Sequence, residues 1–233
     1  VVNKFLLALT CTLLASVACG DDGWVTGVGG TIELMDEHPN IAMVAEHVNA
    51  RVFVSEGKAE VECLFILTNH GAADTVRVGF PEFYSGATEA VPFEQFRSFV
   101  DGEEFSCVRT AGHAGSGGAI EHWWVKDVVF GAGETRIVRD AYRAPVGGAI
   151  GDSLGAYDQF EYTLHTGASW RGPIEAATVT VTFEPCASAW APAWLNSAPT
   201  YVQECSYTWH FRNFEPGRTG PPYIGILWRQ QTP

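Results

Sequence analysis

Thr178-Val179-Thr180-Val181-Thr182-Phe183 sets three hydroxyl-bearing side chains against three apolar ones in strict alternation. Successive side chains of an extended chain point to opposite faces, so this stretch reads as a strand with hydroxyls in water and apolar groups in a core. The same period recurs on both sides of it. Phe160, Tyr162 and Leu164 alternate with Glu161, Thr163 and His165, and Val48, Ala50, Val52 and Val54 alternate with Asn49, Arg51, Phe53 and Ser55 before a turn at Glu56-Gly57-Lys58. The strand that follows carries Val61, Cys63, Phe65 and Leu67 on one face. Its other face changes from Glu60 and Glu62 to Leu64 and Ile66, as expected of a strand passing from a solvated margin into a region covered on both sides.

Turn signals separate these runs. Asn69-His70-Gly71 precedes the alternating Val76, Val78 and Phe80, which predicts an antiparallel meander. Asp101-Gly102 between Phe96–Val100 and Glu103–Val108 predicts a two-residue hairpin. Gly131-Ala132-Gly133-Glu134 between Trp123–Phe130 and Thr135–Tyr142 predicts another. Helix is scarce, since Pro192 limits Ala187–Asn196 to a turn or two. Many short strands at this spacing predict an all-β antiparallel β-sandwich architecture, as one large sandwich or two consecutive ones. The Gly-rich stretch Pro145–Asp152 is the expected boundary, dividing an N-terminal β-sandwich region (21–145) from a C-terminal β-rich region (146–233).

Residues 1–20 differ from the rest. Lys4 is followed by the uncharged apolar run Phe5–Ala18, the pattern of a signal peptide, and at roughly 14 residues that run is shorter than the ~20 needed to span a bilayer. Ser16-Val17-Ala18-Cys19 suits ordinary cleavage, and it is also similar to a bacterial lipoprotein signal in which Cys19 is lipidated. Ser16 departs from the aliphatic residue usual three places before that cysteine. The expected location is exported: periplasmic, outer-membrane-tethered or extracellular, with membrane attachment only through an anchor at Cys19.

Composition sets the further exclusions. Without residues 1–20 the chain has 13 basic against 27 acidic residues, a net charge of −14. Such a surface repels phosphates, so nucleic acid is not an expected partner. Outside the export segment the cysteines are Cys63, Cys107, Cys186 and Cys205, an even number without C-x-x-C, which favours disulfides over metal ligation. Of three connectivities, Cys63–Cys107 with Cys186–Cys205 is the preferred one.

Several stretches then resemble a known group. Gly29-Gly30-Thr31-Ile32-Glu33-Leu34, Ile41–Val48, Thr68-Asn69-His70-Gly71, Thr75–Glu82, Trp170-Arg171-Gly172-Pro173-Ile174 and Phe211–Pro216 together resemble an exported bacterial domain family of unknown function, the one numbered 4424. The resemblance implies a β-rich envelope or secreted protein with no established activity.

No catalytic pattern emerges. Gly112–Gly118 has Ala114 where G-x-S-x-G requires its first glycine, and Gly131–Arg136 lacks the lysine of a phosphate loop. The seven histidines form no H-x-H or H-E-x-x-H pair, and Asp36-Glu37-His38 lacks calcium-loop spacing. Neither a metal nor a cofactor is expected. The tryptophans are more suggestive. Trp190 and Trp194 lie between Cys186 and Cys205, and with Trp170 they are the candidate ligand-binding residues, since aromatic faces bind sugar rings and partner proteins. Three functional classes follow: a non-catalytic structural or interaction module with an envelope protein or glycan as partner, a carbohydrate-binding module, and a hydrolase whose site is assembled from distant residues.

Overall fold

The computed structural model describes residues 24–25, 29–84, 93–114, 120–151, 155–187, 191–215 and 218–229. The expected export segment, Cys19, Trp190 and Gly115-Ser116-Gly117-Gly118 lie outside the described residues.

In chain order the strands are β1 (Trp24–Val25), β2 (Glu33–Leu34), β3 (Ile41–Phe53), β4 (Lys58–Asn69), β5 (Asp74–Tyr84), β6 (Glu94–Val100), β7 (Glu103–Phe105), β8 (Val108–Ala114) and β9 (Ile120–Phe130). They continue with β10 (Thr135–Pro145), β11 (Gly147–Gly151), β12 (Gly155–Thr163), β13 (Ile174–Glu184), β14 (Trp194–Leu195), β15 (Tyr201–Gln203), β16 (Ser206–Phe214) and β17 (Tyr223–Arg229). One layer is an eight-stranded sheet in the order β15-β16-β13-β3-β4-β10-β6-β7. The other layer holds a five-stranded sheet, β1-β11-β12-β17-β14, and a four-stranded sheet, β2-β5-β9-β8. The fold is an all-β sandwich.

The alternating stretch Thr178–Phe183 belongs to β13, near the middle of the wide sheet. Val179, Val181 and Phe183 are buried, while Thr178, Thr180 and Thr182 pair across the outer face with His210, Thr208 and Ser206 at 3.0–3.1 Å. β13 runs parallel to β3 from Ala176–Ala45 to Glu184–Phe53. A parallel pair needs a long crossover, and the chain supplies one by building the other layer in between. Strands from both sides of residue 146 therefore share one sheet, and the expected division into 21–145 and 146–233 does not separate two sandwiches. The Gly-rich stretch read as a boundary is β11, paired with β12 and β1.

Two expected hairpins are arches instead. β4 and β5 flank Asn69–Gly71, yet β4 lies in the eight-stranded sheet and β5 in the four-stranded one. β9 and β10 likewise belong to opposite layers, so Gly131–Glu134 carries the chain across the core. Alternation specifies which face of a strand is buried and is blind to which layer the strand joins. Asp101-Gly102 is a true hairpin turn: both residues have positive φ, 51° and 88°, as a type I′ turn requires, and Val100 pairs Glu103. The returning strand stops at Phe105, and after Cys107 the chain enters the other layer as β8.

The two sheets of the second layer meet through Gly29–Thr31. Gly29 bridges Glu82 of β5 and Gly30 bridges Thr163 of β12. A Cβ on Gly29 would stand 2.4 Å from the Phe80 ring, and one on Gly30 would stand 2.6 Å from the Thr163 carbonyl oxygen. Only glycine permits that approach. Aromatic side chains join the layers: Phe183 meets Trp228 edge-on at 5.1 Å, and Phe80 meets Tyr142 at 5.2 Å. Each such buried ring contributes ~1.5–3 kcal/mol.

Polar groups also cross the core. Lys126 of β9 and Asp140 of β10 stand symmetrically about Gly133, both fully buried, with Nζ 2.6 Å from each carboxylate oxygen. Glu46 of β3 accepts hydrogen bonds from the Thr31 hydroxyl at 2.7 Å and the Tyr162 hydroxyl at 2.9 Å. Its Oε2 has no partner among the described residues, and burial raises its pKa to about 7.

These groups explain a second correction. Cys63 and Cys107 are free thiols, not the expected disulfide. Cys63 faces the core on β4, opposite Asp140 of β10, which in turn opposes Ser98 of β6. The Cys107 thiol reaches Ser98. At ~4.8 Å per strand, two spacings put Ser98 about 10 Å from Cys63, beyond the ~7 Å that a disulfide bridges. The Lys126–Asp140 pair sits between the thiols, and burial pushes both thiol pKa values up. Cys186–Cys205 is formed as expected, with Cα atoms 5.4 Å apart. Disulfides persist in oxidising compartments, so the disulfide points to a non-cytoplasmic location. No helix among the described residues is long and apolar enough to cross a membrane.

Candidate functional site

The Cys186–Cys205 disulfide closes a segment that supplies an edge to each layer. β14 pairs with β17 at the margin of the five-stranded sheet, and β15 pairs with β16 at the margin of the eight-stranded one. Three large side chains of this segment face solvent: Trp194 (45% exposed), Tyr201 (55%) and Val202 (49%). Among the tryptophan side chains described, Trp194 is the exposed one. Trp170 does not join it. That indole is 5% exposed and donates its N–H to the Ile32 carbonyl at 3.0 Å, so it plugs the core. Burial removes Trp170 from the candidate ligand-binding set.

Trp194 stands on the outer face of the five-stranded sheet. Ile224, Ile226 and Trp228 of β17 are buried, so Tyr223, Gly225 and Leu227 point outward. A Cβ on Gly225 would meet the Tyr223 ring at 2.9 Å and the Trp194 ring at 3.6 Å. The Tyr223 ring thus packs directly over the Gly225 backbone, with the Trp194 ring beside it. Glu161 of β12 is the cross-strand partner of Gly225, and Gln159 that of Leu227. Directly opposed residues share a face, which puts both beside the rings. Burial raises the Glu161 pKa, against the lowering effect of its hydrogen bond from Gln159. Tyr223 is raised too, by burial and then by the Glu161 charge. Asn196 fixes the segment: its Nδ2 donates to the Tyr223 carbonyl at 2.6 Å and its Oδ1 accepts from the Gly225 N–H at 2.8 Å.

Sequence reasoning reached Trp194 and missed Tyr223, Glu161 and Gly225. A signal existed. Gly225 interrupts an otherwise bulky strand, which marks a close approach, and Glu161 lies on the outward parity of β12.

Other features are structurally occupied. Glu82 is buried and accepts from the Phe93 N–H, the Arg109 guanidinium and the Trp124 indole N–H at 2.8–3.2 Å, a clamp between β5, β8 and β9. His38 Nδ1 meets Asp74 Oδ2 at 2.8 Å beside a groove of about 580 Å³ shared with Asp36, Glu37, Ser169 and Arg171. The Ser169 hydroxyl there accepts from the Leu34 N–H and lies 3.5 Å from the Thr166 carbonyl. A second groove, about 420 Å³, crosses the outer face of the eight-stranded sheet among Arg51, Glu60, Glu62, Arg97 and Arg143. Its charges pair with one another or with neighbours, Arg51 with Glu184 and Arg139 with Glu62, each at 2.8 Å. No group of three or more His, Cys, Asp or Glu among the described residues is placed to hold a metal.

No family model matches the sequence, and no curated protein does. Among solved structures, the chain is similar to a Legionella pneumophila protein described as a "putative nutrient binding protein", with a TM-score of 0.66 and 19% identity over 89% of this chain and 72% of that one. Leukotriene A4 hydrolase from Saccharomyces cerevisiae gives a TM-score of 0.44 and 10% identity, with 84% of this chain covering 30% of that one. An M1 zinc metallopeptidase from Deinococcus radiodurans gives 0.41 and 13%, with 81% of this chain covering 42% of that one. At these TM-scores the two peptidase likenesses carry no argument, whereas the first shows that the all-β architecture extends over most of the chain.

Proposed function

We propose that the chain is a non-catalytic binding module that works outside the cytoplasm and uses the outer face of its five-stranded sheet, around Trp194, as its contact surface. The observation that carries this reading is the setting of Trp194: an exposed indole in a disulfide-closed segment, beside a second ring and a carboxylate. Rigid aromatic anchors of this kind supply contact area at low cost in conformational entropy. The name borne by the similarly folded Legionella pneumophila protein points the same way. The exported location, the resemblance to the family numbered 4424 and a lipid anchor at Cys19 belong to the same proposal; intact-mass measurement of the mature protein distinguishes acyl chains on Cys19 from a free thiol.

The contact surface is tested by titrating the oxidised protein with a panel of glycans, amino acids, amines and short peptides, following tryptophan fluorescence and thermal stability. At least one class shifts both, and Trp194→Ala abolishes the response while leaving the fold intact. Silence across the panel, or a response indifferent to Trp194→Ala, contradicts the proposal. A carbohydrate reading of the same face rests on the exposed Trp194 ring, and glycans in the panel address it.

A further inference from the structure

The Trp194 face has an asymmetry in its hydrogen-bonding capacity. Gln159 is 4% exposed and donates from Nε2 to Glu161 Oε2 at 3.0 Å; its Oε1 has no partner among the described residues. Asn196 is committed on both sides of its amide to Tyr223 and Gly225. One acceptor, Gln159 Oε1, therefore stays open beside the Glu161 carboxylate. The Glu161 carboxylate is half-buried and no ion pair reaches it among the described residues. Arg229, the next cation on that face of β17, is four residues along from Gly225, about 13 Å at strand rise. A desolvated carboxylate without a counter-charge is costly unless a cation arrives, and two aromatic rings beside it add their negative faces.

We propose that Trp194, Tyr223 and Glu161 form a receptor for an organic cation, an ammonium or guanidinium head on a short apolar stem. The proposal rests on the binding surface inferred above and names its ligand chemistry. The stem lies against the exposed Trp194 ring, and the head reaches the Glu161 carboxylate. The net charge of −13 adds long-range attraction for cations. The head group has two sources, a free amine or a lysine or arginine side chain of a partner protein.

The test titrates the intact, oxidised chain with n-butylammonium and n-butylguanidinium chloride, with 1-butanol and butyrate as neutral and anionic isosteres, and with the peptide Gly-Lys-Gly. Tryptophan fluorescence reports binding. Both cations bind at least tenfold more tightly than butanol, butyrate binds worst, and Glu161→Gln erases the difference without lowering the melting temperature. Tyr223→Phe keeps the preference, which guards against a folding defect being read as loss of the site. Tighter binding of the peptide than of butylammonium assigns the cation to a partner's side chain, and the reverse assigns it to a free amine. Equal affinity for butanol and butylammonium, or a cation preference that survives Glu161→Gln, overturns the proposal. If a neutral glycan then still binds in a Trp194-dependent way, the binding surface stands and only its ligand was misassigned; if no probe binds, both readings fall.

Discussion

The outer faces of the two layers treat their carboxylates in opposite ways. On the eight-stranded sheet, Glu62, Glu94, Glu104 and Glu184 each meet an Arg or Lys within 3 Å, and the Arg139 guanidinium also covers the Phe99 ring at 3.9 Å. On the five-stranded sheet, Glu161 has an amide and two aromatic rings beside it and, among the described residues, no cation. The first face has these carboxylates electrically satisfied. The second leaves its carboxylate without a counter-charge, which is why we propose it as the recognition site. The core repeats the contrast. Asp140 is paired with Lys126, whereas Glu46 meets only hydroxyl groups, and burial raises its pKa to about 7.

Breaking the satisfied members has the largest effect. Lys126→Met leaves Asp140 buried without its counter-charge and lowers stability by ~3–5 kcal/mol, measured by urea unfolding. Adding Asp140→Leu recovers most of that loss, because the pair as a whole is close to neutral against apolar replacements. If the single variant loses under ~1 kcal/mol, the buried pair is not the seam described.

Opening the loop comes next. Replacing Cys186 and Cys205 by serine costs about 3 kcal/mol through the unfolded chain and also abolishes ligand-induced fluorescence change, since Trp194 loses its fixed place.

Glu46 gives a pH dependence of similar size and definite sign. Its folded pKa, about 7, lies above the unfolded value of 4.5, so the folded state holds the extra proton between those values. Stability is therefore highest below about pH 4.5 as far as this group is concerned, falls as pH rises to 7, and is flat above, for a total of ~3 kcal/mol at 1.4 kcal/mol per unit. Glu46→Gln keeps the acceptor for Thr31 and Tyr162 and removes that slope. Chemical denaturation of both proteins from pH 4.5 to 8 checks it; parallel curves contradict it.

The smallest effect belongs to the satisfied outer face. Arg139→Ala costs no more than ~1 kcal/mol in denaturant unfolding and leaves ligand binding unchanged, and a larger loss would mean that the ion pairs of this face carry a substantial part of the stability.

Much of this contrast could be read in the sequence, and the unread part has a physical cause. Thr178–Phe183 and Phe160–Leu164 announced their buried faces correctly, because parity along a strand is local. Asp101-Gly102 announced its turn because type I′ geometry demands those residues. The arches at Asn69–Gly71 and Gly131–Glu134 were read as in-sheet turns, since hairpin and arch share one alternation pattern. A clue was present all the same: Lys126 and Asp140 sit at core parity, equidistant from Gly133, and two opposite charges so placed pair best across a core. Cys63 was assigned to a disulfide from cysteine number, which says nothing of the two strands between it and Cys107. The candidate site was half legible. Trp194 stood out by composition, whereas Tyr223 and Glu161 belong to strands that meet only through tertiary pairing.

The central claim is that the five-stranded sheet presents an unfilled cation-binding face at Trp194. The most direct measurement follows the indole N–H resonance of Trp194, assigned by its loss in Trp194→Phe, during titration with n-butylammonium. The account predicts a saturable shift in the wild type, with at least tenfold weaker binding in Glu161→Gln. A resonance that does not move, or moves equally in both proteins, would contradict it.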